Sequence, residues 1–290
     1  MSPGAGKLLV GLIGSGIQRS LTPAMQEEEA LQQGLRLHYQ LIDLDRTPGA
    51  EQQLPALLAA ARIMGFAGLN ITYPCKQAVL PLLDALSPEA QAMGAVNTVV
   101  NQGGRLVGHN TDGSGWAWGL RRSLPDADLA CVVLLGAGGA GSAIADAVLR
   151  LGAAQLRVVD TDMARAGALA DALKARFGDR VSAHGDAAQA LTGATGLIHA
   201  TPTGMDKLPG MPISAALLRP SLWVSEIVYF PLDTSLLQAA RAAGCPIMDG
   251  GAMAVGQAVG AFELFTGLKA DPERMGRHFR QLLAARTDGG

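Results

Sequence analysis

Residues 134–141 read LLGAGGAG, with glycines at 136, 138 and 141 directly behind an apolar stretch and ahead of SAIADAVLRLG, whose apolar positions recur at helical spacing. Between a strand and a helix each glycine has a task. The first allows the tight turn, the second lets a pyrophosphate approach the backbone, and the third lets helix and sheet pack closely. The opening turn of the helix adds N–H groups without partners of their own, which suits an anion. Gly136, Ala137, Gly138, Gly139, Ala140 and Gly141 therefore form a candidate dinucleotide cradle, with an ordinary glycine-rich turn or another adenosyl ligand as the alternative. Asp160 closes the next apolar run, LRVVD, nineteen residues beyond Gly141, near the ~20 expected of an acid that binds the adenosine ribose. A carboxylate there accepts from the ribose hydroxyls of NAD but repels the roughly −1.5 to −2 charges that a 2′-phosphate brings. NAD is favoured over NADP. Arg165, five residues on, could stack on adenine or partly offset a phosphate, or be a solvated helix charge.

A hydride carrier in one half of the chain requires substrate binding and an acid–base pair in the other. The polar residues of the first 112 positions cluster where strands should end and helices begin: Ser20 and Thr22 in RSLTPAM, Asn70 and Thr72 in LNIT, Lys76 in PCKQ, Asn97 in AVNT and Asp112 in GHNTD. In an open α/β sheet, ligands bind outside the carboxyl ends of the strands. Each residue alone has a plainer role: Thr22 and Asp112 as helix caps, Asn97 in a turn, Lys76 as a surface charge. Lys76 stands out because it falls in the first turn of an expected helix, where a cation is disfavoured by about 0.3–1 kcal/mol.

The elements that must position these residues follow from periodicity. LLVGLI reads as a strand, and TPAMQEEEALQQG as a helix capped by Thr22, with Pro23 in first position and Gly34 as its stop. LRLHYQLIDL and FAGLNIT read as strands, EQQLPALLAAARIMG and PCKQAVLPLLDAL as helices, and AVNTVVNQGGRLVGHNT as two strands turning at Gly103 and Gly104. After a helix containing WAWGLRRSL, the strands CVVLL, LRVVD, GLIHAT and LWVSEIVY alternate with helices RAGALADALKARFG and TSLLQAARAAG. Two further helices follow from Gly251. Such alternation predicts an α/β protein with largely parallel sheets.

Composition agrees. The 290 residues are 49% hydrophobic and 17% charged, with mean hydropathy +0.22, enough for large buried cores in about two domains. A net charge of −2 gives no footprint for nucleic acid or an anionic membrane, and small molecules are the expected partners. Cys75, Cys131 and Cys245 are too widely separated for a metal site or a disulfide framework, so no metal is expected and a reducing cytoplasm fits. The apolar start KLLVGLIG is too short to span a bilayer.

Taken together, GLIGSGIQRSLTPAM, GLNITYPCKQAVLPLLD, GAVNTVV, GHNTDGSGW, LLGAGGAGSA, HATPTGM and GGAMAVGQAVGAFELFTG resemble, in this order and spacing, the shikimate/quinate dehydrogenases. The resemblance implies two α/β domains flanking a cleft: residues 1–112 for substrate binding and catalysis on a mainly parallel sheet, a Rossmann-like NAD-binding domain over 113–250, and helices over 251–290 that return to the first domain. It implies Lys76 and Asp112 as the catalytic pair and Ser20, Thr22, Asn70, Thr72, Asn97 and Gln257 as holders of the substrate carboxylate and hydroxyls. Tyr229 and Gly250 match the nicotinamide and substrate side, and Thr201, in HATPTGM, matches the cofactor side. The Ser20-x-Thr22 pair, Asp160 and GHNTD are most similar to the NAD-dependent branch, which implies oxidation of the C3 hydroxyl of quinate or shikimate to 3-dehydroquinate or 3-dehydroshikimate by a cytoplasmic monomer or homodimer. The alternatives are an NADP-dependent biosynthetic shikimate dehydrogenase and a catalytically silent ligand sensor on the same fold. Cys75, beside the lysine, is expected to pack, and His109, three residues before Asp112, to be a satisfied structural histidine.

Overall fold

The computed structural model describes residues 7–46 and 49–287. The chain divides into two compact units, residues 1–111 with 257–290 and residues 112–256.

The first unit contains β1 (Lys7–Gly14), α1 (Thr22–Gln32), β2 (Arg36–Asp43), α2 (Leu54–Ile63), β3 (Gly68–Ile71), the one-turn α3 (Cys75–Ala78), β4 (Ala85–Leu86), α4 (Pro88–Met93), β5 (Thr98–Gln102) and β6 (Arg105–His109). Its strands lie in the order β2-β1-β3-β5-β6-β4. The pairs β1·β2, β1·β3 and β4·β6 are parallel, and β3·β5 and β5·β6 antiparallel. Gly103 and Gly104 make the hairpin turn between β5 and β6 with φ of +63° and +96°, which side chains with a Cβ rarely adopt. Ile13, Leu69, Ile71, Val96 and Val99 belong to one buried core cluster.

Thr22 is the first residue of α1, not its cap: Leu21 holds the cap position, and the Thr22 N–H donates to Ser20 Oγ at 3.3 Å. The helix expected over PCKQAVLPLLDAL is a single turn, followed by a 3-10 turn at Leu80–Leu82 and then β4. Pro81 is the cause, because its ring removes an N–H donor and clashes with the preceding turn. Lys76 thus opens no long helix, and a one-turn helix has little of the macrodipole that the expected penalty requires.

The second unit runs α5 (Asp112–Ser123), β7 (Cys131–Leu135), α6 (Gly139–Arg150), β8 (Gln155–Val159), α7 (Met163–Phe177), β9 (Val181–His184), α8 (Ala187–Ala190), β10 (Gly196–His199), β11 (Trp223–Glu226), α9 (Ser235–Ala242), β12 (Ile247–Met248) and the start of α10 (Gly250–Thr266). All its strand pairs are parallel, in the order β12-β11-β10-β7-β8-β9. Every residue of β7, β10 and β11 is buried, as expected of a parallel sheet covered on both faces. The chain builds outward from β7 through β8 and β9, then returns to place β10 on the other side of β7. That reversal marks the switch point where such sheets bind ligands.

The second unit extends to Gly256, six residues past the expected boundary at 250. The first turns of α10 pack on α5 backbone to backbone: a Cβ on Gly256 would lie 2.8 Å from the Gly115 Cα, and one on Gly119 would lie 3.0 Å from the Ala252 Cβ. The remainder of α10 and all of α11 (Pro272–Thr287) belong to the first unit. There the buried Glu29 of α1 accepts from Arg274 Nε and Nη2 at 2.7 Å each and from the Asp271 N–H at 2.9 Å, which fastens α11 to α1. Among the described residues, no helix is long and apolar enough to cross a membrane.

Candidate active site

In the first unit the residues singled out from sequence gather at the carboxyl ends of β1 and β3 and the adjoining start of β5. Ser20 lies in the loop between β1 and α1, and this loop is fastened to the end of β2. The Gly16 N–H donates to Asp43 Oδ1 at 3.0 Å and Gln18 Nε2 to Oδ2 at 2.9 Å. Burial pushes the Asp43 carboxyl up, but the Gln18 amide and the N–H groups of Asp45, Gly16 and Ile17 outweigh it and hold the group below the usual carboxylate range. Thr72 follows β3, where its N–H donates to Ile13 O at 2.9 Å, and its methyl fills the space that Gly14 leaves by having no Cβ.

Asn70 and Asn97 sit in one buried polar network. Tyr39, fully buried, donates its hydroxyl to Asn70 Oδ1 at 2.7 Å, and burial pushes its phenol well above its ordinary range. Asn70 Nδ2 donates to Asn97 O at 3.2 Å and to Thr98 Oγ1 at 3.0 Å. Both amide hydrogens of Asn70 are thereby used, and any further bond must be accepted by its oxygen. Asn97 Oδ1 accepts from Thr98 Oγ1 at 2.9 Å and from the Thr111 N–H at 2.8 Å, while its Nδ2 donates to Thr111 Oγ1 at 3.0 Å. Thr111 Oγ1 in turn donates to the carbonyl of Gln257 at 3.1 Å. Lys76, half-buried, is drawn towards the same region because its carbonyl accepts from the Val96 N–H at 2.9 Å. Cys75 is buried, as expected of a packing residue.

Asp112 is buried and is the first residue of α5, directly after the pinned Thr111. By contact it belongs to the second unit, whereas Lys76 belongs to the first. His109 departs from expectation: its Nε2 is buried and has no hydrogen-bond partner among the described residues. Burial lowers its pKa, and the Glu89 carboxylate only partly offsets that.

In the second unit, Gly136, Ala137 and Gly138 link β7 to α6, and Gly139, Ala140 and Gly141 open the helix. The three motif glycines differ in what surrounds them. Gly136 has φ +100°, and a Cβ there would lie 2.7 Å from Ala200 O; a Cβ on Gly141 would collide with the carbonyl of Gly136. A Cβ on Gly138 would meet nothing within 4 Å. Two glycines are therefore required by packing, while the third leaves open space over the helix N-terminus, which is the shape a pyrophosphate requires. Asp160 follows β8 with its side chain 8% exposed. Its Oδ2 accepts from the Ala137 N–H at 2.7 Å and its Oδ1 from the Asp162 N–H at 2.9 Å, with Arg165 Nη1 at 3.8 Å. Burial raises the carboxyl, but these two N–H donors, Arg165 and the Thr161 hydroxyl outweigh it and hold it below the usual range. Arg165 is half exposed and also approaches Asp162 at 3.4 Å. Thr201 follows β10, and its methyl would lie 3.0 Å from a Cβ on Gly136. Gly250 opens α10 against the carbonyls of Ile227 and Val228, and Tyr229, 39% exposed, comes next in the chain after Val228.

Sequence reasoning missed Tyr39, Thr98 and Thr111 of the buried network, and in the second unit His199 and Glu226, a fully buried pair at the ends of β10 and β11. A titratable group inside the apolar strands GLIHAT and LWVSEIVY was a signal for the last two. Tyr39 carried none, because it looks like any inward residue of an alternating strand.

Comparison with known proteins places this geometry. Residues 12–99 match the family described as the shikimate dehydrogenase substrate binding domain. The chain is 57% identical over 270 residues to a shikimate dehydrogenase (NADP(+)) of Streptomyces avermitilis, covering 92% of this chain and 93% of that sequence. It is 50% identical over 282 residues to a quinate/shikimate dehydrogenase (NAD(+)) of Corynebacterium efficiens, covering 95% and 98%. The structure of quinate dehydrogenase from Corynebacterium glutamicum in complex with NAD superposes with a TM-score of 0.91 at 46% identity, over 95% of this chain and 100% of that one. The fold is the two-domain, Rossmann-like α/β plan of these enzymes. The chain belongs to the shikimate dehydrogenase family.

Proposed function

We propose that this chain transfers hydride between the C3 hydroxyl of quinate or shikimate and a nicotinamide dinucleotide, with NAD preferred to NADP. The dinucleotide supplies the hydride acceptor in the oxidative direction. The residues suited to hold it are the turn Gly136–Gly141, Asp160, Arg165, Thr201 and Gly250.

Within this reading Ser20, Thr22, Thr72, Asn97 and Gln257 hold the substrate carboxylate and hydroxyls. Asn70 meets a hydroxyl as an acceptor, since both of its amide hydrogens are already committed. Lys76 exchanges the proton of the reacting C3 hydroxyl, Asp112 orients Lys76, and Tyr229 lines the reacting side. General acid–base catalysis of this kind contributes about 10²–10⁴ in rate.

The observation that carries the preference for NAD is Asp160: a carboxylate at the end of β8 bonded to the N–H of Ala137 in the glycine turn. A 2′-phosphate would set its charge against this group, whereas ribose hydroxyls donate to it. The NAD-bound Corynebacterium glutamicum structure supports this reading. The 57% identical NADP(+) relative favours a second one, an NADP-dependent shikimate dehydrogenase. Measuring kcat/KM for quinate and shikimate with NAD and with NADP separates them. Quinate inactive with both cofactors would remove the quinate assignment, and a higher kcat/KM with NADP would select the second reading.

A further inference from the structure

Two fully buried side chains at the ends of the second unit's central strands have no role in the reading above. His199 ends β10, Glu226 ends β11, and the two are paired in register. His199 Nδ1 lies 2.9 Å from Oε1 and 3.0 Å from Oε2 of Glu226. Glu226 Oε1 also accepts from the N–H groups of Ile227 and Val228 at 2.8 and 2.9 Å, and Oε2 from the Thr234 hydroxyl at 3.0 Å. On the other side of the ring, His199 Nε2 meets Thr201 Oγ1 at 2.5 Å, and the Thr203 N–H donates to that oxygen at 3.3 Å.

A fold has little need of such a pair. Well-packed apolar residues of similar volume in place of a buried ionisable pair are often neutral or stabilising. What distinguishes this pair is where its bonds lead. Thr201, bonded by His199, is the residue whose methyl stands against Gly136 of the cradle. The two residues whose N–H groups donate to Glu226, Ile227 and Val228, also supply the carbonyls against which Gly250 packs, with Tyr229 next in the chain.

We propose that Glu226 and His199 are positioning residues for the dinucleotide: through one buried relay they fix the Thr201 hydroxyl and the Ile227–Val228 segment that follows β11, and Thr201 Oγ1 bonds the bound cofactor. This rests on the reading of the glycine turn as a dinucleotide site. In the full-length chain, Thr201→Val removes the hydroxyl and keeps the shape. His199→Asn keeps an N–H for Glu226 and removes the ring nitrogen that faces Thr201.

Each variant should raise the NADH dissociation constant, read by fluorescence titration, and the KM for the preferred cofactor by about three- to tenfold, the size of one lost hydrogen bond. The KM for shikimate should stay within twofold. The double variant should be no worse than the weaker single variant, because both break the same bond. An unchanged NADH dissociation constant in Thr201→Val overturns the proposal, as do additive effects in the double variant. A fall in Tm for His199→Asn with cofactor binding intact also overturns it, since that result describes a strand clamp. A wild-type chain that binds no NADH and turns over no substrate ends the dehydrogenase reading and this proposal with it. A wild type that turns over, with variants that bind NADH normally, ends only this one.

Discussion

Asp160→Asn keeps the size of the side chain and changes two things, its charge and its acceptors. The carboxylate accepts from the Ala137 N–H at 2.7 Å through one oxygen and from the Asp162 N–H at 2.9 Å through the other. Asparagine offers one oxygen and one NH2 group, so one of these N–H donors must face another donor. Hydrogen bonds to a charged group contribute about 1.5–3 kcal/mol each, whereas the 3.8 Å approach of the half-exposed Arg165 adds about 0–1 kcal/mol. The substitution should therefore cost the glycine turn about 1.5–3 kcal/mol, a factor of roughly ten to one hundred or more in an equilibrium. With NAD, the ribose hydroxyls lose their anionic acceptor as well. With NADP, the loss is offset because the repulsion of the 2′-phosphate disappears and Arg165 is released to meet it. The kcat/KM ratio of NAD to NADP, measured with one saturating acid substrate, should fall at least about tenfold, which corresponds to ~1.4 kcal/mol. A ratio that stays within twofold of wild type would refute the assignment of Asp160 as the cofactor-discriminating group.

Other variants test separate parts of the account. Lys76→Ala should lower kcat by about 10²–10⁴ and raise the KM for shikimate only modestly; a near-normal kcat removes Lys76 from proton transfer. Gly138→Ala should leave Tm unchanged, because its Cβ meets nothing within 4 Å, yet should weaken NADH binding at least about tenfold by occupying the pyrophosphate's space; NADH binding at wild-type strength would show that the space serves something else. Gly141→Ala, in contrast, should lower Tm, because its collision with the Gly136 carbonyl costs about 1–3 kcal/mol of stability through overpacking. Glu29→Gln should cost roughly 3 kcal/mol in urea unfolding, near the low end for a broken buried pair because Arg274 reaches solvent. Burial raises the Glu29 carboxyl, but the bonds from Arg274, Asp271 and Gln33 outweigh it and hold the group below its ordinary range. Its contribution is therefore complete above pH ~4.5 and disappears as pH falls through the lowered value, so the gap between wild type and variant should close in acid. A gap that is constant with pH would mean that the pair contributes through packing and not through charge.

Much of this protein was legible in its sequence because local physics dominates there. Periodicity located the strands and long helices, and the glycines at 34, 103 and 104 marked turns where the backbone takes positive φ. The motif at 136–141 sits between strand and helix because only glycine tolerates both the positive φ of the turn and the close approach of α6. Asp160 could be placed by counting, since a βαβ unit has a nearly fixed length. The failures also had local causes. Pro81 breaks a run that otherwise reads as one helix, and the cap position of α1 falls at Leu21, one residue before the Thr22 that its residue type favours.

Tertiary structure decided how polar groups far apart in sequence satisfy one another. Asn70 and Asn97 read as two separate candidate ligands, yet they share a network with Tyr39, Thr98 and Thr111 that restricts Asn70 to accepting any further bond. His109 was expected to be satisfied, but its Nε2 is buried without a partner among the described residues. The His199–Glu226 pair arises because β10 and β11, twenty-seven residues apart in the chain, lie side by side in register. Sequence specifies which donors and acceptors exist and which backbone shapes each segment tolerates. Which donor meets which acceptor depends on strand order and register, and these are set by burial over the whole sheet, not by any residue's neighbours along the chain.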